Sequence, residues 1–209
     1  NLVKRALAQQ TLSQDCFEHI IALQENKPKK GDYWTIYSDY NRAIKQAKGQ
    51  LIISWQDYTF AKPETLEKFW YHYTQEPKTL VTGVGDKYQD DTWTVKVWAD
   101  PRKRTDYGTY YQCYHNDIEW NLCSIPKEAF YAVGGFDERL NKYSSICGLD
   151  VVDRLQVIGS WDFKIDQTIE SFSLDHGRLP DWEKFNPIPN GAYQKHRESY
   201  LANPILNYL

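Results

Sequence analysis

The sequence predicts an α/β chain: a mixed, mostly parallel central sheet flanked by helices. Three observations carry that reading. Short apolar runs alternate with amphipathic stretches at helical spacing through the first half of the chain. One run, Leu51 to Trp55, is nearly all apolar, the pattern of a strand covered on both faces, as parallel strands usually are. Gly49, Pro63, the Gly134-Gly135 pair and Gly159 stand where helices would start or stop.

The elements follow in order. Apolar positions between Leu2 and Leu12 fit a short helix, and Phe17 to Leu23 reads as a buried strand. Residues 27 to 32 form a polar loop. Ser38 or Asp39 caps a helix whose apolar stripe is Tyr40, Ala43, Ile44 and Ala47, ended by Gly49. After the strand at 51–55, Pro63 opens a helix with Leu66, Phe69, Trp70 and Tyr73 on one face. Leu80 to Val84 is the next strand. From Thr92 to Trp98 the residues alternate, as in a half-exposed antiparallel strand, and 100–117 reads as a long loop over the site. Pro126 opens a helix closed by Gly134-Gly135, a further helix covers 149–158, and 161–165 and 168–174 are two strands. A last helix lies in the tail after Asn190, before Pro204. With neither internal repeat nor linker, the whole of 1–209 is expected to be one domain.

Composition narrows the function. The 209 residues hold 25 Lys and Arg against 28 Asp and Glu, a net charge of −3, so the basic excess of a nucleic-acid or membrane-surface binder is missing. No apolar run reaches the roughly 18 residues needed to span a bilayer. Aromatic residues make up 15% of the chain, which leaves carbohydrate and nucleotide ligands open. Cys16, Cys113, Cys123 and Cys147 form no CxxC pair or zinc-like spacing, so reduced thiols in a cytoplasmic protein are expected.

Ligands of open α/β sheets bind beyond the carboxyl ends of strands. Gln56-Asp57-Tyr58 occupies that position after 51–55, where a carboxylate holds a divalent cation or ligand hydroxyl, or caps the turn; the residues alone leave both open. His176 follows the strand at 168–174 and is either a metal ligand or structural. Asp150 stands at a helix start, where the dipole favours an ionised carboxylate, suited to a cap or to a general base. Trp93, Trp98, Tyr107, Tyr110, Tyr111 and Tyr114 read first as packing and loop residues, and Arg102-Lys103-Arg104 as a solvated turn.

Two blocks extend this reading. The first runs Asn41-x-Ala43-x-x-x-Ala47-x-Gly49-Gln50, apolar strand, Gln56-Asp57, Pro63-x-x-Leu66. The second runs Glu119-Trp120-Asn121-Leu122-Cys123-Ser124-Ile125-Pro126, then Phe130-x-x-Val133-Gly134-Gly135-Phe136-Asp137-Glu138, then Gly148-Leu149-Asp150-Val151-Val152-Asp153-Arg154-Leu155. Across roughly 5–177 the chain resembles a family 2 glycosyltransferase of GT-A fold. The resemblance implies a nucleotide-diphosphate-sugar half over about 1–85, an acceptor half over 86–180 and a tail over 181–209. It implies a nucleotide-diphosphate sugar as donor, a glycan or other hydroxyl as acceptor, and a divalent metal, Mn2+ or Mg2+, on the diphosphate. Asp57 corresponds to the last acid of the DxD motif that meets the metal, and His176 to a position where some relatives add a metal-binding His. Gln56 and Asn41 fall in the donor half. Asp150 matches the Asp of the ED motif and would take the proton of the acceptor hydroxyl in an inverting transfer, with Trp120, Asn121 and Asp153 near the acceptor.

The chain departs from that pattern in places. Trp55 stands at the first DxD position, Leu149 replaces the Glu of ED, and Leu23-Gln24-Glu25 stands where acidic residues usually lie near the base. The family's opening strand and its Pro-Thr-Tyr-Asn-like turn have no counterpart before Leu2, and the chain holds no Met, so a chain shortened at its amino end is expected. Two other classes stay open on the residues: a nucleotidyltransferase, which would show a Gly-rich basic phosphate loop, and a non-catalytic carbohydrate-binding module.

Overall fold

The structure, a computed structural model, describes residues 2–22, 35–141, 148–175 and 192–209, with side chains of the last stretch from residue 197. The predicted loop at 27–32, the Leu23-Gln24-Glu25 position, Cys147 and His176 lie outside the described residues. The described residues form helices α1 (Leu2–Leu7), α2 (Ile36–Gln46), α3 (Thr65–Gln75), α4 (Lys127–Val133), α5 (Leu149–Ile158) and α6 (Ala192–Ala202). They also form strands β1 (Leu51–Trp55), β2 (Thr59–Ala61), β3 (Thr79–Tyr88), β4 (Lys96–Trp98), β5 (Tyr110–Gln112), β6 (Leu122–Pro126) and β7 (Asp162–Leu174). The chain packs as two compact units, 1–18 with 51–126 and 161–177, and 19–50 with 127–160 and 178–209. No helix among the described residues is long and apolar enough to cross a membrane.

The first unit is built on a seven-stranded sheet in the order β1-β6-β3-β7-β2, with β4 added to β3 and β5 to β7. The α/β class holds, but the expected mostly parallel sheet does not. β3 and β7 run parallel, and every other pairing is antiparallel. The reason is visible in β6, which is buried at all five positions and yet antiparallel to both neighbours. A continuous apolar run reports burial on both faces, not strand direction. β1, read as covered on both faces, is instead the half-buried end of the strand order.

The two strands read at 161–165 and 168–174 are one strand, β7, bent in the middle. Its register against β3 passes from Thr82↔Ile165 to Val84↔Glu170, so residues 166–169 bulge opposite Gly83. The bulge is pinned by Asp166, which accepts from the Thr168 amide at 2.8 Å and meets His72 Nε2 at 2.7 Å. A Cβ at Gly83 would lie 2.3 Å from the Ile169 carbonyl oxygen, which is why glycine stands there.

Local capping explains how the helices join this sheet. Glu64 gives α3 no side-chain cap, and Gln10 serves instead: its Oε1 accepts from the Leu66 amide at 2.9 Å while its amide nitrogen donates to the carbonyls of Ala6 and Lys62. Leu66 and Phe69 of α3 are buried as predicted, but Trp70 is exposed and His72 takes the inner face in its place. Ala61, Phe69, Val81, Leu122 and Ile169 form a core cluster against which Leu51, Ile53, Trp55 and Tyr110 pack.

No strand among the described residues pairs with Phe17 to Ala22, and Ile21 is exposed. The alternating stretch from Thr92 forms a ladder only at Lys96–Trp98, because Trp93 takes a positive φ of 58° and turns inward against Phe60, Tyr88 and Phe172. Within 100–117 the chain adds β5 to the sheet instead of remaining a loop.

In the second unit α4 packs on α5 and α5 on α6. The turn after α4 holds Gly134 and Gly135 at φ 70° and 86°. The tail runs along it, with the Leu206 amide donating to Val133 at 3.0 Å and the Tyr208 amide to Gly134 at 2.9 Å. A Cβ on Gly134 would lie 1.8 Å from the Leu206 carbonyl oxygen.

Candidate functional site

The turn between β1 and β2 presents Gln56, Asp57 and Tyr58. It is fixed from outside by Asn121, just before β6: the Gln56 amide donates to the Asn121 carbonyl at 3.0 Å, and the Tyr58 hydroxyl donates to Asn121 Oδ1 at 2.7 Å. Trp55 Nε1 closes the turn on the Thr59 carbonyl at 2.9 Å. Asp57 is exposed, and its carboxylate makes no hydrogen bond or ion pair with another described residue. A capping Asp would accept a backbone amide. Asp57 does not, so its charge is left to solvent or a ligand.

Asn121 also lines a cleft of about 140 Å³ over the sheet in the same unit. Gly83 and Gly85 lie on one face of β3 and leave its floor without side chains. Lys87, Trp98, Arg102 and Glu119 complete the main polar lining. Arg102 is locked: its guanidinium grips both oxygens of buried Asp100 at 2.9 and 2.5 Å and donates to the Asp117 carbonyl at 2.7 Å. Burial alone would raise the Asp100 carboxyl, but Arg102, with the Gly85 amide at 2.8 Å, holds it below the usual carboxylate range. Asp86 beneath it accepts from the Asp100 amide at 3.0 Å and from Lys103 at 2.8 Å, and pairs with Lys96.

Trp120, expected near an acceptor, is buried, and its carbonyl accepts from Ser54 Oγ at 2.7 Å; its neighbour Asn121 is the residue that reaches the cleft. The predicted Asn41 lies in the second unit and is engaged by the glycine turn. Its amide donates to the Phe136 carbonyl at 3.0 Å and to Glu138 at 2.9 Å, and its oxygen accepts from the Phe136 amide at 2.8 Å. Both amide protons are therefore taken, and Asn41 reads as the residue that shapes the turn. Asp153 is likewise held, by the Tyr200 hydroxyl at 2.7 Å and Arg197 Nε at 2.9 Å from α6.

Asp150 is fully buried at the start of α5. Its Oδ2 accepts from Arg154 Nη2 at 2.7 Å and from the Asp137 amide at 3.0 Å, while Oδ1 has no hydrogen-bond partner. Burial pushes this carboxyl above its ordinary value, against the opposing pull of Arg154 and the Asp137 amide. Arg154 is itself fully buried and donates to the carbonyls of Val133 and Gly135. One oxygen is thus anchored and the other is unsatisfied, an arrangement that either wastes a buried acceptor or reserves it.

Among the described residues no group of three or more His, Cys, Asp or Glu side chains converges, so Asp57 can serve as a single hard ligand but not as part of a cage. The described cysteines are free thiols, and burial pushes Cys113 up to about 12, which keeps it a neutral thiol at ordinary pH.

Reading the chain alone missed Lys87 and Glu119 and set Trp98 and Arg102 aside as packing and turn residues. The available signal was Gly83-Val84-Gly85, two glycines on one strand face, which mark a groove rather than a well-packed strand. Neither a family model nor a curated protein sequence matches the chain, so its function is argued from these residues.

Proposed function

We propose that the chain is a glycosyltransferase that moves a sugar from a nucleotide-diphosphate donor to a hydroxyl acceptor. The observation that supports this best is the unpartnered Asp57 carboxylate on a turn that Asn121 ties to a polar, Gly-floored cleft. In this reading Asp57 faces the diphosphate end of the donor and, with His176, would hold a divalent cation there, while Asn121 orients the sugar through its amide. A divalent cation, when bound there, supplies positive charge to the departing diphosphate. Asp150, in the second unit, is the residue this reading assigns as general base: Arg154 and the Asp137 amide fix Oδ2, and Oδ1, which has no hydrogen-bond partner, is the atom that would take a proton. Inversion at the sugar carbon follows from a single displacement of this kind, and is carried with the reading.

The test is a donor screen on the whole chain with manganese or magnesium and with chelator, reading release of nucleoside diphosphate. Turnover of at least one donor is expected, falling roughly 10²–10³-fold in Asp57→Asn. Because Asp57 is exposed and makes no ion pair, that variant should melt with the wild type. Release of pyrophosphate would point to nucleotidyl transfer, and glycan binding without turnover of any donor would point to a binding module. Either result overturns the proposal.

A further inference from the structure

Resting on that reading only in calling the ligand a substrate, we propose that the cleft beside Asn121 is a subsite for one uncharged monosaccharide ring, stacked on Trp98. Size comes first. At about 140 Å³ the cleft is close to the roughly 150 Å³ of a cavity that takes one bare six-carbon ring, and it lies below the ~300 Å³ at which pockets for drug-sized ligands begin. A pyranose would seat its ring there with hydroxyls outside, past exposed Trp98 and Glu119. It therefore takes one sugar unit, not a whole nucleotide.

Shape comes next. The floor is backbone at Gly83 and Gly85, where a Cβ would meet Ile169 O at 2.3 Å and Ser171 Oγ at 2.2 Å, so the face stays flat. Trp98 is the cleft's aromatic wall and is 42% exposed, in contrast to Trp93, whose ring packs against three other aromatics. A pyranose presents apolar C–H groups on one face and hydroxyls at its edge, which suits an indole wall with polar groups around it.

Charge then selects the ligand. Arg102 is neutralised by Asp100. That leaves Lys87, whose ammonium lies 5.5 Å from the Trp98 ring centroid, and Glu119, an exposed carboxylate in the same lining. One donor cation and one acceptor anion cancel. Together they suit a ring of hydroxyls that both accept and donate, and with Glu119 offsetting Lys87 the lining has no net positive charge to hold a sugar acid.

Saturation-transfer NMR on the whole chain with methyl glucoside, methyl galactoside, N-acetylglucosamine and methyl glucuronide tests this. At least one neutral sugar is expected to show transfer and the glucuronide none. Trp98→Ala should weaken the neutral sugar about tenfold while Trp98→Phe, which keeps a ring, retains most of the binding. Glu119→Gln should admit the glucuronide. Glucuronide binding equal to that of neutral sugars, absence of transfer from every neutral sugar, or unchanged binding in Trp98→Ala each overturns the subsite. Nucleoside-diphosphate release read in parallel separates the two proposals. Sugar binding without turnover defeats the transferase and leaves the subsite standing, whereas turnover with unchanged KM in Trp98→Ala does the reverse.

Discussion

At the scale of single residues, the buried Asp150–Arg154 pair is the most consequential interaction in the second unit. Both side chains are fully buried, and Arg154 also satisfies two carbonyls of the glycine turn. Breaking such a pair strands a charge away from water, which costs about 3–5 kcal/mol. Arg154→Met is therefore expected to lower stability by about that amount, read by urea denaturation. Adding Asp150→Leu removes the stranded charge and should recover part of the loss. The Val133 and Gly135 carbonyls stay without their donor, so recovery is incomplete. Equal stability of the single and double variants would show that the stranded carboxylate is not what destabilises Arg154→Met. The single Arg154→Met change also leaves Oδ2 held by the Asp137 amide alone, so full activity in it would show that the Arg154 contact is unnecessary for the proposed base.

At the scale of elements, β3 and β7 decide where a cleft can exist, and their glycines differ in kind. An added Cβ at Gly83 meets a backbone carbonyl that only a shift of the ladder can move, whereas at Gly85 the nearest atom is the Ser171 hydroxyl, which rotates. Gly83→Ala is expected to cost roughly 1–3 kcal/mol and Gly85→Ala under about 1 kcal/mol, a difference of a few degrees in Tm; equal melting points would place the two contacts in one class. The bulge that makes Gly83 necessary could not be read beforehand, since its cause is Asp166 meeting His72 from α3, residues far apart in the chain. β1, α4 and α5 were legible because local periodicity and their Gly and Pro boundaries agree with the final packing. α2 was legible as a helix but begins at Ile36, which puts the expected caps Ser38 and Asp39 inside it. β2 and β5, three residues each, carry too little pattern to register, and strand direction depends on partners that periodicity does not name. Of the candidate site, the place of Asp57 on an exposed turn after β1 was legible from the sequence. The cleft was not, because Lys87, Trp98 and Glu119 meet through β3, β4 and the approach to β6.

At the scale of the whole molecule, acid stability should be set by carboxylates in both units. Asp86, Asp100 and Asp166 in the first unit and Asp137 in the second are all held below their ordinary value. In each, burial alone would push the carboxyl up, and the partners outweigh it: Lys103 and Lys96 for Asp86, Arg102 for Asp100, His72 and Thr168 for Asp166, and Arg139 for Asp137. A carboxyl depressed in the folded state binds its proton later than in the unfolded chain as acid is added. The unfolded chain then holds more protons, and stability falls with pH. The contribution is complete above the ordinary value of 3.8 and is lost as pH drops through the lowered folded values. Asp150, raised by burial, has the opposite sign and offsets part of the fall. Denaturation midpoints measured from pH 6 down to pH 3 are expected to hold nearly level to about pH 4.5 and then descend. Asp100→Asn should start lower, because Arg102 and the Gly85 amide lose their anion, and should descend less steeply, because one proton-linked group is gone. A variant whose acid limb runs parallel to the wild type would show that Asp100 is not among the groups that titrate on unfolding.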